Sequence, residues 1–282
     1  MPELPEVEYA RRRLQRTMAG ARITRVVVRQ AKLRYRFPAD FVGRLEGQTV
    51  RAVERRAKYL LVQLSSGDWL LMHLGMSGSF RVIRPARVDP SRRRYYHDVS
   101  LLKAHDHVIF EMSTGASVVF NDPRRFGFML LLTPDEQAAH KSLARLGPEP
   151  LAPTFDAQAL ARKLGRRRTS LKIALSDQRV VGGLGNIYVV EALHRAGLSP
   201  TRAASTLVTR KGTPRAGVSP LVQAIRDVLK EAIRRQYRTG DDNPFRVYDR
   251  KGEPCLRRGC HGTIRRIIQG GRSTFYCPVC QR

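Results

Sequence analysis

Three things are scarce in this chain. Acidic residues number 24 against 52 Lys plus Arg, which leaves a formal charge of +28 over 282 residues. Long apolar runs are missing, and nothing approaches the roughly 18 residues of a membrane span. Cysteine is absent from the first 254 residues; Cys255, Cys260, Cys277 and Cys280 all lie in the last 28. The second shortage argues against an integral membrane protein. The N-terminus, MPELPEVEYARRR, places acids before bases and has no apolar centre, so it does not read as a signal peptide. A cytoplasmic protein is expected, and in a reducing compartment clustered cysteines point to metal rather than disulfides.

What is present bounds the class further. Hydrophobic residues make up 42% of the chain, enough for a core and too many for a disordered basic tail. A folded chain this basic most often meets phosphate backbones. An anionic membrane surface and plain solubility are the competing readings of the charge.

The period of the pattern divides the chain. Residues 5–18 put Val7, Ala10, Leu14 and Met18 on one helical stripe, with Pro5 suited to the first turn. Strand-like runs follow at 23–29, 50–53, 59–64, 69–74, 108–112, 117–120 and 128–132, several separated by turn clusters. Seven short strands without helices between them predict a β-sandwich or barrel. The second half changes to helical spacing, with helices expected at 156–164, 169–180, 187–196 and 201–209. A further helix starts at Ser219-Pro220 and buries Leu221, Ile225, Val228, Leu229 and Ala232. The class is therefore α+β and multi-domain. We place an N-terminal sandwich with its leading helix at 1–133, a helical domain at 134–248 with a punctuated linker at 146–150, and a C-terminal finger at 249–282.

The cysteines have metal-ligand spacing. Cys255-x4-Cys260 and Cys277-x2-Cys280 flank a segment that reads as a hairpin, with Gly270-Gly271 at its turn. Two knuckles presenting four thiolates make a structural zinc ribbon. His261 is the competing ligand. Four sulfurs close the coordination shell and leave no position for a reactive water, so this Zn2+ is structural. It would also lower the working charge from +28 to about +26, four thiolates and one dication adding −2. Arg272 beside the two glycines suits a contact with phosphates or a groove, with a solvated surface arginine as the competing reading.

Two other features carry chemistry. Gly182-Gly183-Leu184-Gly185-Asn186 feeds a predicted helix without a preceding strand or a following Lys. It is neither a dinucleotide fingerprint nor a P-loop, but it suits a phosphate contact at a helix N-terminus; a tight helix–helix turn is the plainer reading. Basic clusters stand at Arg162, Lys163, Arg166, Arg167, Arg168 and Lys172, and at Arg84, Arg87, Arg92, Arg93 and Arg94. Pro2 follows Met1, and removal of Met1 would leave a secondary α-amine. An α-amine has a pKa of about 8 against about 10.4 for Lys, so near pH 7.5 roughly a quarter is neutral against about 0.1%. Such an amine can attack a carbonyl-like carbon and form a Schiff base, with Glu3 and Glu6 beside it as acid/base carboxylates. A simple helix start accounts for the same residues.

Together these motifs resemble formamidopyrimidine-DNA glycosylases. MPELPEVE at the start, RRAKYLL at 55–61, HLGMSG at 73–78, NDPRRFG at 121–127, GGLGNIYVVEAL at 182–193 and GRSTFYCPVCQ at 271–281 occur in the family's order from end to end. The resemblance implies a β-sandwich, a helical domain with a helix–two-turn–helix element, and a zinc finger. It implies a monomeric, bacterial, nucleoid-associated enzyme of base excision repair that acts on damaged double-stranded DNA without a membrane. The implied activity is excision of oxidised purines such as 8-oxoguanine and formamidopyrimidines, then cleavage of the strand by β,δ-elimination. Residue by residue, Pro2 matches the nucleophile and Glu3 the acid/base group. Lys58 matches the residue tied to β-elimination, and Arg272 the one tied to δ-elimination. Met76, Arg124 and Phe126 match the residues that fill the gap left by the extruded base; Asn186, His105, Arg124, Arg168 and Lys172 match or lie with backbone contacts. Two departures stand out. Residues 237–246 are short and lack the family's Gly-Tyr-Phe element, and 84–104 is longer and more basic than usual. An inactive damage-binding protein on the same scaffold, a paralogue that prefers oxidised pyrimidines or abasic sites, and an RNA-binding basic protein with a zinc ribbon are the rival readings.

Overall fold

The computed structural model describes residues 2–84, 87–88, 102–165, 167–235 and 243–282. The chain forms two compact units, one running to Ala144 and the other comprising Arg145–Arg234 with Asp241–Arg282.

The first unit opens with helix α1, Leu4–Met18. Glu3 and Glu6 start it through a reciprocal capping box, in which the Glu3 amide donates to Glu6 Oε2 at 2.8 Å. This satisfies N–H groups that a helix start otherwise leaves bare. Val7, Ala10, Leu14 and Met18 are buried, as the stripe predicts. Among the described residues nine strands follow: β1 Ile23–Val28, β2 Val50–Arg56, β3 Tyr59–Leu64, β4 Trp69–His73, β5 Ser79–Arg84, β6 Arg87–Val88, β7 Asp106–Met112, β8 Ser117–Asn121 and β9 Phe128–Leu132. They build two antiparallel sheets, β1-β7-β8-β5-β6 and β2-β3-β4-β9. One apolar cluster draws on α1 and both sheets, with Leu14, Ile23, Leu60, Val62, Leu70, Phe110 and Val118 at its heart.

β5 is absent from the sequence reading. Its arginines break up the apolar alternation, yet Phe80 and Val82 still point into the core. Arg81 is accommodated by an ion pair with Asp106 at 2.6 Å. Two short helices, α2 Pro134–Ala139 and α3 Lys141–Ala144, close the unit. Thr133 and Glu136 form the capping box of α2.

The second unit contains α4 Ala157–Leu164, α5 Leu171–Ser176, α6 Asn186–Ala196 and α7 Val218–Arg235. The helix expected at 169–180 ends early. The Asp177 carboxylate accepts the Arg179 amide at 2.9 Å and turns the chain. α6 stops at Gly197, whose φ of 70° is the left-handed cap that glycine adopts at low cost. The helix expected at 201–209 is only a 3-10 turn, Ala204–Leu207. The finger is the hairpin β10 Arg265–Gln269 and β11 Arg272–Tyr276. Gly270 and Gly271, with φ of 57° and 71°, supply the two positive-φ positions of its turn. Among the described residues no helix is long and apolar enough to cross a membrane.

Candidate active site and metal centre

Pro2 and Glu3 are buried at the head of α1. One and a half turns on, the Glu8 carboxylate accepts Arg12 Nε at 2.8 Å, Arg11 Nη2 at 3.0 Å and Arg55 Nε at 3.1 Å. Burial acts to raise the Glu8 carboxyl, but the three guanidiniums outweigh it and hold it below the usual range. Arg55 lies near the end of β2, and Lys58 follows in the two-residue turn to β3. Lys58 is 7% exposed. The neighbouring His73 is pushed down to about 4 by burial, with Lys58 and Arg34 adding repulsion. Its Nδ1 accepts the Gly75 amide at 3.0 Å, so the imidazole carries its proton on Nε2 and stays neutral beside the lysine.

His73 opens the first of two loops, 73–78 and 121–127, that one carboxylate joins. Asp122 Oδ1 accepts the Ser77 hydroxyl at 2.5 Å and Oδ2 accepts the Gly127 amide at 2.8 Å. Gly75, with φ of 64°, lets the loops close: a Cβ there would lie 2.4 Å from the Gly127 nitrogen. The exposed tips are Met76 and Phe126, with the Arg124 guanidinium 4.8 Å from the Phe126 ring centre. Half-exposed His105 accepts the Asp122 amide on its carbonyl at 3.0 Å, and His107 Nε2–H donates to the Asp122 carbonyl at 2.8 Å. Met76, Arg124, Phe126 and His105 are thus gathered around Asp122. In the sequence this carboxylate carries no mark beyond its place in the NDPRRFG motif.

In the second unit, the finger is pinned to the helices by polar contacts. Asn186 Nδ2, at the start of α6, donates to the Ser273 carbonyl at 3.0 Å. Gln269 Nε2 donates to Ser170 Oγ at 3.0 Å, and Lys172 Nζ to the Gln269 carbonyl at 3.4 Å. Lys172 is therefore not the surface cation that its basic cluster suggests; it is 2% exposed and turned against the hairpin. Arg168 and Arg272 are exposed. Arg166, residues 85–86 and 89–101 of the basic segment, Gln236, and 237–242 of the short loop lie outside the described residues. Glu191 is a second carboxylate that the sequence does not flag. It accepts the backbone amides of Arg246, Val247 and Tyr248, each at 2.9 Å, and so fixes the chain entering the finger.

The four cysteine sulfurs lie within 4.8 Å of one another. Cys255 and Cys280 are 3.8 Å apart and Cys260 and Cys277 3.6 Å, matching the edge of about 3.8 Å of a tetrahedron with Zn–S bonds near 2.3 Å. This donor set holds one structural zinc ion. His261 points to solvent, whereas buried His194 reaches the cluster with Nε2 3.3 Å from Cys255 Sγ.

Residues 1–129 match the model of the formamidopyrimidine-DNA glycosylase N-terminal domain. Residues 146–242 match the formamidopyrimidine-DNA glycosylase H2TH domain, and 252–282 a zinc finger found in FPG and IleRS. A formamidopyrimidine-DNA glycosylase of Bradyrhizobium sp. strain ORS 278 is 55% identical over 294 residues, covering 100% of both chains. The Lactococcus lactis formamidopyrimidine-DNA glycosylase, bound non-covalently to DNA with an AP site, superposes with a TM-score of 0.82 at 29% identity over 100% of each chain. Its complex with Fapy-dG DNA gives the same TM-score and identity over 99% of this chain and 100% of that one.

Proposed function

The chain belongs to the formamidopyrimidine-DNA glycosylase family, and from that membership we propose a bifunctional DNA glycosylase and abasic-site lyase of base excision repair. Its substrates are oxidised purines, 8-oxoguanine and formamidopyrimidines, in damaged duplex DNA, on which it acts as a monomer.

The observation that carries this reading is the head of α1: Pro2 and the Glu3 carboxylate, both buried, fixed by a capping box. A nucleobase must leave the stack before its C1′ is reachable, at a cost of a few kcal/mol. Met76, Arg124 and Phe126 would fill the vacated space and offset part of that cost. With Met1 removed, the neutral Pro2 amine attacks C1′, the base departs with its bonding electrons, and the proton lost from the Pro2 nitrogen neutralises the departing base. Glu3 protonates the sugar-ring oxygen as the ring opens. The resulting iminium is an electron sink that makes the C2′ proton acidic; its loss expels the 3′ phosphate. Lys58 serves this elimination, and Arg272 serves the second, in which the 5′ phosphate leaves. Arg168, Asn186 and His105 hold the phosphate backbone, as does Arg124 at the lesion. The zinc ion keeps the hairpin folded, and no chemical step passes through it.

Borohydride trapping on duplexes carrying 8-oxoguanine, formamidopyrimidine, an oxidised pyrimidine or an abasic site tests this. A covalent adduct mapped to Pro2 by mass spectrometry is expected, strongest on the purine lesions and the abasic duplex. Damage binding without any adduct would make the protein a lesion-binding scaffold instead.

A further inference from the structure

Arg55 reaches both of the elements that carry groups assigned to chemistry, helix α1 and the β2–β3 turn. Its Nε donates to Glu8 Oε2 at 3.1 Å, and its Nη1 donates to the carbonyl of Ala57 at 3.0 Å. The Arg55 side chain is 10% exposed and that of Glu8 12%, so solvent does little to weaken the pair. Glu8 lies five residues past Glu3, about 7.5 Å along the helix axis at 1.5 Å per residue. Ala57 is the residue immediately before Lys58.

The backbone at Ala57 is unusual. Its φ is 53°, and the residue is fully buried. A positive φ at the first position of a two-residue hairpin turn favours glycine, because a Cβ there crowds the backbone. Strained residues persist only where their surroundings over-determine them. Here the forked guanidinium accounts for that determination: one branch holds the Ala57 carbonyl while the other is anchored on α1. Lysine has no such fork and could not make both bonds in this geometry.

We propose that Arg55, anchored by Glu8, is a positioning residue that holds the strained Ala57 turn and thereby sets Lys58 against the head of α1. This rests on the functional reading above. The clamp itself can be tested without catalysis. Hydrogen exchange of the intact protein is measured across residues 56–60, with 69–73 as the internal reference. Arg55→Ala and Arg55→Lys should each raise exchange at 56–60 and leave the reference unchanged. Single-turnover cleavage of an abasic duplex then reads the coupling. Both variants should slow strand cleavage about tenfold or more at saturation, with DNA affinity within about twofold of wild type. Adding Ala57→Gly to either should recover at least half of the loss on a logarithmic scale, since glycine needs no clamp. Should Arg55→Ala not fold, Glu8→Gln carries the same expectations.

Unchanged exchange at 56–60 overturns the clamp. Faster exchange with wild-type cleavage overturns the positioning role. Full activity in Arg55→Lys would show that charge alone suffices, and a loss that Ala57→Gly does not relieve would show that the turn is not what Arg55 holds; either result overturns the positioning role. If the wild-type protein itself forms no borohydride adduct, the functional reading fails while the exchange result still decides the clamp.

Discussion

The Ser77 hydroxyl donates to Asp122 Oδ1 at 2.5 Å, across 45 residues of sequence. Through this contact and the Gly127 amide on Oδ2, one carboxylate makes a single platform of the loops that bear Met76, Arg124 and Phe126.

Removing that carboxylate should loosen the platform. Asp122→Ala leaves the buried Gly127 amide unsatisfied, at a cost of about 1–3 kcal/mol. The expected outcome is a lower Tm, together with weaker extrusion of a lesion base reported by 2-aminopurine fluorescence. Zinc content should not change. Wild-type extrusion in a folded Asp122→Ala protein would refute the platform's role.

His73 should impose a pH window on stability. Its folded pKa of about 4 lies below the unfolded value near 6.5. The folded state therefore disfavours the proton, and stability is full above about 6.5 and falls as pH drops toward 4. The loss is up to about 3 kcal/mol for a shift of this size. Asp177, held at about 2 by its hydrogen bond from Arg179, loses its contribution only below the ordinary carboxylate range. Denaturant unfolding of wild type and His73→Gln between pH 7 and pH 4 separates the two, and parallel curves would refute the His73 assignment.

Zinc removal should undo the finger's docking as well as its fold. Chelation or Cys277→Ala should release the ion and free the hairpin from Asn186 and Lys172. DNA affinity should fall at least about tenfold, as read by fluorescence anisotropy alongside zinc content. His194→Ala, which removes the imidazole beside Cys255 Sγ, should weaken zinc retention about 10- to 100-fold in competition with a chromogenic chelator.

Arg168 and Lys172 should separate by salt dependence. Exposed Arg168 replaced by Ala should lower the slope of log affinity against log salt by about 0.9, the release of one counterion. Lys172→Met should leave the slope unchanged, because its ammonium faces the Gln269 carbonyl. Equal slopes for wild type and Arg168→Ala would remove Arg168 from the phosphate contacts.

What was legible in the sequence follows rules that act over a few residues. The stripe Val7, Ala10, Leu14, Met18 specifies α1, and the Gly270-Gly271 pair specifies a hairpin turn. The cysteine spacing specifies a tetrathiolate knuckle pair. The motif order specified the family, because it fixes residue types at intervals that composition alone does not produce.

The tertiary structure decided which charges are free and which are committed. Chemical type is the same for Arg168 and Arg55, or for Lys172 and any surface lysine. What differs is the partner, and partners such as Glu8 for Arg55, Ser77 for Asp122 and Ser273 for Asn186 lie 47, 45 and 87 residues away in the chain. Periodicity reports only which face of one element is apolar. Whether a charge ends in solvent or in a buried clamp depends on what the fold brings beside it, since a buried charge is tolerated only when it is paired. The sequence by itself determined α1, the finger's hairpin, the zinc ligands and the family; the fold determined where α5 ends and that β5 forms, that Arg55 and Asp122 act as struts, and that Lys172 turns its charge inward.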